Sequence, residues 1–559
     1  MFKYIIAAVF LIAAHSSTVL AADVGDVATF TIDENLDASQ RAQVSAVLIK
    51  SEANLYFYVE KSWWDAQVSG KKSEVQNSLE NLSQEFDAKI YPTLTSVFGS
   101  EWNPGVDGDK KITLLFHSMK EGMSGYFRSA DEYLKLQVPG SNEREMLYFP
   151  TSQIESSRLK VAVAHEFVHL ITFNQKERLR DVQEEVWLNE ARADFSSHIL
   201  GYDDVYEGSN LQKRVRDFLV KPTDSLTEWQ ESKYDYGVAS MFAHYLVDHY
   251  GITVLSDSLK SRLTGIASIN DVLLKNSYQE NFSEVFTNWT IASFINDCST
   301  DLKYCYLNKN LTGLKVNPAL IFLPVSGSSS LSSTNVTKNW AGNWQKIIGG
   351  DGDLKLEFSS LTGLNFKVPY IVIDENNTYS IQRLNLDANE KGEINLKDFG
   401  SKYLSLIIIP SLQSKLAGFN GAELTHPYTI KATILGDVVQ EEENIIQKLL
   451  AQIEALKKQI ANLESGGNSG ACASIQSNLY LGVVNKTEVT CLQSFLKSQG
   501  TSIYPEGLVT GNFGSLTRAA VIRFQEKYAS EILAPAGFAK GTGFVGAFTR
   551  SKINALLSR

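Results

Sequence analysis

One short apolar segment carries the residues of this 559-residue chain that are best suited to chemistry. In the segment 161–171, VAVAHEFVHLI, His165 and His169 are four positions apart. On an α-helix both imidazoles therefore project from one face, about one turn apart, where they can bind one metal ion. Zinc suits such a pair, and Glu166 is positioned beside it to take a proton from an attacking water. The spacing predicts a buried helix that carries a metal site and a general base.

A zinc site that is open for catalysis needs a third protein ligand and leaves its fourth position to water. The segment 186–195, VWLNEARADF, predicts a second apolar helix, from which we select Glu190 as the third ligand; Glu184 and Glu185 are the alternatives. Asp194 lies four residues beyond Glu190 and so shares its face of the helix. There it can accept a hydrogen bond from a ligating imidazole and fix the tautomer of that ring.

These two segments carry a family resemblance. The His-Glu-x-x-His spacing on a helix is the zinc-peptidase signature. Followed twenty residues later by Asn189-Glu190-x-x-x-Asp194, it resembles the gluzincin metallopeptidases of the thermolysin kind. The sequences WLNE at 187–190 and GYF at 125–127 most closely resemble the hyicolysin family of secreted bacterial neutral proteases. One departure from the thermolysin pattern is an Ala in place of the Ser that usually precedes this Asp.

The resemblance implies an α+β zincin-type fold that cleaves peptide bonds in a protein or peptide substrate. It implies one zinc ion, held by His165, His169 and Glu190. In such a site Glu166 is the general base, and Asp194 orients His165.

Peptide hydrolysis builds an oxyanion at the attacked carbonyl, so a donor besides the metal is normally needed. The segment 232–237, SKYDYG, begins a predicted helix and offers candidates. Tyr234 is the first of them, because its Tyr-x-x-Gly spacing resembles that of the gluzincin aminopeptidases. Tyr236 and His244 are the alternatives. Since the chain has 23 Tyr, a tyrosine of the core or surface is the plain alternative to any catalytic one.

The N-terminal residues 1–21 predict a signal peptide. They contain Lys3, an apolar run at 4–14 and a small-residue cleavage site, VLA, at 19–21. No later apolar run has the length of a membrane helix. We therefore expect an exported protein, secreted, extracellular or cell-wall associated, with no membrane span after cleavage.

Four cysteines suit an oxidising compartment. Two local disulfides, Cys298 with Cys305 and Cys472 with Cys491, are the simplest of the three pairings that four cysteines allow. Zinc binding by cysteine is disfavoured, because the Cys-x-x-Cys spacing of structural zinc sites is absent.

The length predicts several domains, since one core seldom serves so long a chain. Residues 22–306 predict the metallopeptidase domain, with an N-terminal α+β lobe and a C-terminal lobe that is helical over 210–295. The N-terminal lobe has predicted strands at 29–32, 54–60, 111–116, 122–127, 134–138 and 146–149, and a predicted helix at 72–91. These strands predict a mixed, largely antiparallel sheet.

A turn rich in Asp and Gly at 103–109 precedes one of these strands. Asp107 and Asp109 could bind calcium there. A solvated turn is the simpler interpretation, because a calcium site needs six or more oxygens and only two side chains are evident.

Residues 307–436 contain short β-rich runs separated by Gly, Asn and Ser turns, which predicts an all-β sandwich domain. Residues 437–470 predict a coiled-coil helix and a Gly/Ser linker, with Ile and Leu at heptad core positions over 438–463. This helix predicts either a parallel homodimer or a helical spacer within one chain.

Residues 471–559 have nine Lys and Arg against four Asp and Glu, a net charge of +5 in a chain whose net charge is −11. The pattern LQ at 492–493, GNFG at 511–514 and FQ at 524–525 resembles the peptidoglycan-binding domain, a small all-α module of three helices. A basic surface suits an anionic cell wall. Nucleic acid is disfavoured as a partner, because the chain is acidic overall and is expected to be exported.

The sequence therefore predicts an exported zinc endopeptidase that its C-terminal domain tethers to the cell wall. One alternative is a non-catalytic envelope-binding protein. Another is a peptidase that acts on the peptide stems of peptidoglycan. The sequence leaves open the cleavage preference, any propeptide and the oligomeric state.

Overall fold

The computed structural model describes residues 22–325, 327–419, 421–435, 449, 452–453, 472, 474–483 and 485–558. The chain divides into two compact units, Met1–Gln440 and Glu441–Arg559. The predicted signal peptide lies outside the described residues, and so does nearly all of the coiled coil predicted over 438–463. No helix in the described part of the chain is both long and apolar enough to cross a bilayer.

Six strands form the first sheet: β1 Val27–Thr31, β2 Gln43–Ser51, β3 Leu55–Glu60, β4 Ile112–His117, β5 Tyr126–Phe127 and β6 Met146–Pro150. They pair in the order β1-β2-β3-β4-β6-β5. The central strands β3, β4 and β6 are parallel and the outer pairs are antiparallel, so the predicted mixed sheet is confirmed. Every residue of the three central strands is buried, which means that both faces of the sheet are covered there. The strand β5 is an edge strand.

The strand predicted at 134–138 is wrong. The backbone turns at this point, because the amide of Gln137 donates to the carbonyl of Leu134 at 2.8 Å. Leu136 is 96% exposed. Alternating apolar residues form a strand only where a neighbouring strand takes the backbone hydrogen bonds and a core covers one face. Neither condition holds here.

The helices of the first unit surround the sheet and continue beyond it. They are α1 Lys61–Asp65, α2 Ser69–Glu85, α3 Tyr91–Phe98, α4 Leu159–Thr172, α5 Val186–Ile199, α6 Asn210–Val220, α7 Lys233–Tyr250, α8 Thr253–Leu259, α9 Gly265–Lys275 and α10 Phe282–Ile295. The helix predicted at 72–91 corresponds to α2, which ends earlier, at Glu85. A wider helical turn, Phe86–Ile90, joins α2 to α3. Pro92 is tolerated in the first turn of α3, where the missing N–H leaves no hydrogen bond unmade.

The rest of the first unit is made of strands, as predicted: β7 Ala319–Leu323, β8 Ser329–Thr337, β9 Gln345–Gly349, β10 Gly352–Ser360, β11 Phe366–Lys367, β12 Pro369–Asp374, β13 Tyr379–Arg383, β14 Lys391–Phe399, β15 Tyr403–Ile408, β16 Ser411–Leu412 and β17 His426–Leu435. One set pairs as β13-β12-β15-β9-β7 and another as β14-β10-β17-β8, and the single pair Phe399 with Tyr403 joins them. Both sets contribute to one buried apolar cluster.

This β-sheet region packs against the helices of the same unit. The ring of Trp340 lies 4.9 Å from that of Phe282 and 5.4 Å from that of Phe286, both on α10. The indole nitrogen of Trp344 donates to the carbonyl of Thr290 at 2.8 Å. The strands therefore support the helical lobe from one side.

The second unit is helical. Its described helices are α11 Lys486–Ser498, α12 Ser515–Lys527, the short α13 Ala529–Ile532, and α14 Ala547–Leu557. The three long ones agree with the predicted three-helix module. Both predicted disulfides are present, Cys298 with Cys305 in the first unit and Cys472 with Cys491 in the second.

Two buried glutamines organise the second unit in the same way. The side-chain oxygen of Gln493 accepts from the amides of Thr510 and Gly511, and its nitrogen donates to the hydroxyl of Thr517 at 2.9 Å. Gln525 makes the corresponding bonds, at the same sequence separations, to the three residues Thr542, Gly543 and Thr549. The unit therefore contains an internal repeat. A glutamine on α11 and a glutamine on α12 each hold the loop that follows their own helix.

Candidate metal centre

The helix α4 is buried along almost its whole length and packs against α5. Glu166 is 6% exposed and His169 is 7% exposed. Polar side chains are costly in such surroundings unless something compensates them. Two apolar helices in contact thus bring their few polar groups to one buried place.

His165 and His169 of α4 meet Glu190 of α5 at that place. The Nε2 atoms of the two imidazoles are 3.2 Å apart. Nε2 of His165 lies 3.2 Å from Oε2 of Glu190, and Nε2 of His169 lies 3.5 Å from Oε1. The ligand atoms of the three residues all lie within 4.8 Å of one another, and no other group of three or more such side chains is this close among the described residues.

The orientation of these atoms fits a bound cation. Nδ1 of His169 lies 3.1 Å from the amide oxygen of Asn189, which can only accept a hydrogen bond. Nδ1 therefore carries a proton, and Nε2 is the nitrogen that faces the other two residues. Oε2 of Glu190 is buried and accepts no hydrogen bond from any residue that the structure describes. Imidazole nitrogens and one carboxylate are donors that hold zinc in catalytic sites.

The charges of the centre also fit a bound cation. Burial acts to lower the pKa of His169, but the carboxylate of Glu190 outweighs it and raises that pKa to about 9. Burial acts to raise the pKa of Glu190, and the two imidazoles hold it well below its usual range. The carboxylate of Glu190 therefore stays charged, and the centre favours a positive charge.

Glu166 lies between the metal centre and the edge strand of the sheet. Burial raises its pKa above the usual value, although His165 and His169 act in the opposite direction. The backbone amide of Phe127 in β5 also acts to lower this pKa. A carboxyl group with a raised pKa is better suited to accept a proton near neutral pH and to return it later.

The alternative ligands Glu184 and Glu185 have other partners. Glu184 accepts a hydrogen bond from Nη1 of Arg192 at 2.7 Å. Glu185 accepts one from the indole nitrogen of Trp187 at 2.8 Å. Of the three glutamates considered, Glu190 is the one that the structure brings to the histidines.

Asp194 does not make the contact that was predicted for it. Its carboxylate accepts hydrogen bonds from Nε and Nη2 of Arg214, at 2.8–3.0 Å, and from the side chain of Asn210 at 2.9 Å. None of its hydrogen bonds in the described chain goes to an imidazole. Burial acts to raise the pKa of Asp194, and Arg214 lowers it below the usual value. Asp194 thus holds a buried arginine in place. No local motif in the sequence predicts this contact, because Arg214 lies on a different helix.

The same arginine contacts Tyr236, the predicted alternative to Tyr234. The guanidinium of Arg214 lies 4.5 Å from the ring centroid of Tyr236. Burial raises the pKa of Tyr236, and the charges of Glu190 and Glu166 raise it further. Tyr234 instead has its ring beside the amine of Lys221 at 5.5 Å.

Helix geometry bears on the choice between the two tyrosines. Residues two apart on a helix project to nearly opposite sides, so only one of Tyr234 and Tyr236 can face the centre. The Tyr-x-x-Gly spacing has a packing explanation. A Cβ on Gly237 would lie 2.6 Å from the backbone nitrogen of Phe218, so the glycine allows α6 and α7 to approach closely.

His244, the other alternative, is a core histidine. It is 3% exposed, and its ring lies 4.8 Å from that of Phe195 and 4.9 Å from that of His198. Burial lowers its pKa to about 3. It therefore stays neutral among other rings and makes no described contact with the three ligands.

One family of known proteins matches part of the second unit. Residues 485–529 match the family described as peptidoglycan binding domain, a range that contains α11 and α12. This match supports association with the cell wall. No curated protein matches the chain.

Solved structures give only distant likenesses. The Yersinia pseudotuberculosis-derived mitogen is 13% identical, with 20% of this chain and 92% of that chain covered and a TM-score of 0.15. The pre-peptidase C-terminal domain of a collagenase from Bacillus anthracis is 8% identical, with 21% and 96% covered and a TM-score of 0.14. The IMPa metallopeptidase from Pseudomonas aeruginosa is 10% identical, with 78% and 53% covered and a TM-score of 0.11. Scores this low support no argument about fold or function.

Proposed function

We propose that the chain is an exported zinc-dependent endopeptidase that its C-terminal unit attaches to the cell wall. The observation that carries the proposal is the convergence of His165, His169 and Glu190 within 4.8 Å, with Glu166 buried beside them. A structural zinc site is closed by four protein ligands, whereas a catalytic one has three and an open side. The side chains of His165 and Glu190 remain 17% and 15% exposed, which supports an open side.

Each residue has a role in this proposal. Zinc, when bound by His165, His169 and Glu190, supplies Lewis-acid chemistry that makes water a nucleophile at neutral pH. Glu166 accepts the proton of the attacking water and returns it to the leaving amine. Tyr236 donates a hydrogen bond to the oxyanion, for which its raised pKa keeps the hydroxyl protonated.

The gluzincin and hyicolysin resemblance agrees with these roles but covers only the motifs around α4, α5 and β5. The second unit contributes the attachment. Its family match and its net charge of +5 support binding to an anionic wall polymer.

The test uses the purified full chain with denatured casein and with purified cell walls as substrates, and metal analysis beside each assay. Glu166→Gln should retain about one zinc per chain and lose activity by about 10³-fold or more, because an amide cannot accept a proton from water. The matched control is Glu185→Gln, a half-buried glutamate just before α5, which should keep both zinc and activity.

The outcomes separate the rival functions. Activity of Glu166→Gln within tenfold of the parent chain would contradict the mechanism. A chain that binds walls, holds no zinc and cleaves neither substrate is a non-catalytic envelope protein. Release of amino groups from cell walls and not from casein would identify the peptide stems of peptidoglycan as the substrate.

A further inference from the structure

A second group of buried acidic side chains lies apart from the metal centre, where the loop 103–110 meets the start of β6. Glu132 is 1% exposed and Glu145, which immediately precedes β6, is 2% exposed. Both carboxylate oxygens of Glu132 are buried and accept no hydrogen bond from any described residue. An unpaired buried carboxylate is among the most costly groups in a protein, so it needs either a proton shared with a neighbouring carboxyl group or a bound cation.

The two carboxyl groups face each other. Each acts on the pKa of the other at hydrogen-bonding range, and the charge of Asp107 acts on both. Oε1 of Glu145 accepts from the amide of Val106 at 3.0 Å. A Cβ on Gly105 would lie 1.8 Å from Oε2 of Glu145, so glycine at this position leaves the room that the carboxylate occupies.

None of the neighbouring polar groups donates a hydrogen bond to Glu132 in the described chain. Nη1 of Arg128 donates to Asp131 at 2.9 Å, and the hydroxyl of Tyr148 also donates to Asp131. The Nε atom of Arg144 is buried without a hydrogen-bond partner in the described chain, although its charge reaches Asp107. Burial and the charges of Glu145 and Asp131 raise the pKa of Glu132 well above its usual value. Burial and the charge of Asp107 raise the pKa of Glu145 to about 8. A shared proton or a bound cation would relieve this repulsion.

We propose that Glu132 and Glu145 bind one calcium ion. Two carboxylates offer four oxygens, and calcium takes six to eight oxygen ligands in flexible geometry, so backbone carbonyls and water complete the set. All the ligand atoms of this site are oxygens, whereas zinc prefers imidazole nitrogen and thiolate sulfur, so the site suits calcium better than zinc. Calcium sites of extracellular modules bind at about 10⁻⁴–10⁻³ M, which suits a protein expected outside the cell.

The ion would connect the turn Ser129–Glu132 that follows β5 with the residues that lead into β6. Because Glu145 also accepts from the amide of Val106, the loop 103–110 would be held with them. Because β5 presents the amide of Phe127 to Glu166, the ion would also stabilise the segment beside the candidate general base. Its main effect is on stability, so the test does not depend on catalysis.

The experiment measures thermal unfolding of the full chain after chelation and dialysis, with zinc restored equally to every sample. Calcium at about 100 times its dissociation constant should raise the unfolding temperature of the first unit by about 3 °C, and magnesium should raise it less. The variant Glu132→Gln/Glu145→Gln should unfold at or above the temperature of the calcium-free parent chain and should not respond to calcium. Isothermal titration calorimetry with calcium alone checks the stoichiometry of one.

Asp109→Asn is the matched control. Asp109 lies in the same loop but accepts from the hydroxyl of Tyr56 at 2.9 Å, so this variant should keep the calcium response. The proposal is overturned if the parent chain shows no calcium response at pH 8 or above, since the two glutamates then share a proton. It is also overturned if the double variant responds to calcium as the parent chain does. Neither result bears on the zinc-peptidase proposal.

Discussion

The segments around α4 and α5 hold two buried polar clusters that are built in opposite ways. In one cluster, Glu184 pairs with Arg192 at 2.7 Å and with Lys176 at 3.3 Å. Its remaining oxygen accepts from the amide of Gly265 at 2.8 Å. In the other, the Nε2 atoms of His165 and His169 face each other beside a Glu190 oxygen that has no hydrogen bond in the described chain.

The comparison shows how a structural cluster differs from a functional one. Buried charges that satisfy each other fix the arrangement of the backbone and need no further partner. Buried nitrogen and oxygen atoms that converge without hydrogen-bonding each other need a bound ion or molecule that the chain does not supply. The same rule distinguishes the paired Asp194 from the unpaired Glu132.

The largest expected effects come from replacing the glutamate of each cluster in turn. Glu190→Ala should abolish zinc binding, because two imidazoles alone are too few ligands. Glu184→Gln should keep one zinc per chain but lower the free energy of unfolding by about 3–5 kcal/mol, because Arg192 and Lys176 then lack their counter-charge. Metal analysis and denaturant unfolding measure the two effects. Full zinc in Glu190→Ala would remove it as a ligand.

The next effect separates the two tyrosines of α7. Tyr236→Phe should lower kcat by about 10²–10³-fold with KM little changed, as loss of an oxyanion donor does. Tyr234→Phe is its control on the same helix and should keep activity within twofold. Steady-state kinetics on one soluble peptide compares them. An equal loss in both variants would mean that the effect arises from the helix and not from the hydroxyl group.

Asp194→Asn should have a smaller effect, about 10–100-fold in activity, because it acts on Tyr236 only through Arg214. If Asp194 instead orients His165, zinc affinity should fall by the same factor. Zinc titration of the variant therefore decides between the contact that the structure shows and the one that the sequence predicted.

Removal of the second unit should have no effect on catalysis. A chain that ends at residue 440 should hydrolyse a soluble peptide as the full chain does, because the two compact units divide there. It should fail to sediment with purified peptidoglycan, whereas residues 471–559 should sediment alone, and more weakly as salt rises. Equal sedimentation of the truncated and full chains would assign wall binding to the strands of residues 319–435.

The second unit was more fully predictable than the first. Its motifs repeat locally, and the buried Gln493 and Gln525 that hold its loops belong to the LQ and FQ pairs visible in the sequence. In the first unit, the helices over 210–295 followed from apolar residues at helical spacing. The strand at 134–138 failed although its pattern alternates, because pairing with a distant strand leaves no mark in the local sequence.

The sequence by itself determined how residues within one helix lie relative to each other. Because residues four apart share a face, His165 and His169 had to lie together, and Glu166 had to lie beside them. Only the tertiary structure decided contacts between helices. It brought Glu190 to the histidines, paired Asp194 with Arg214, placed that arginine over the ring of Tyr236, and set Glu132 against Glu145. These contacts depend on the packing of segments far apart in the chain, which local periodicity does not encode.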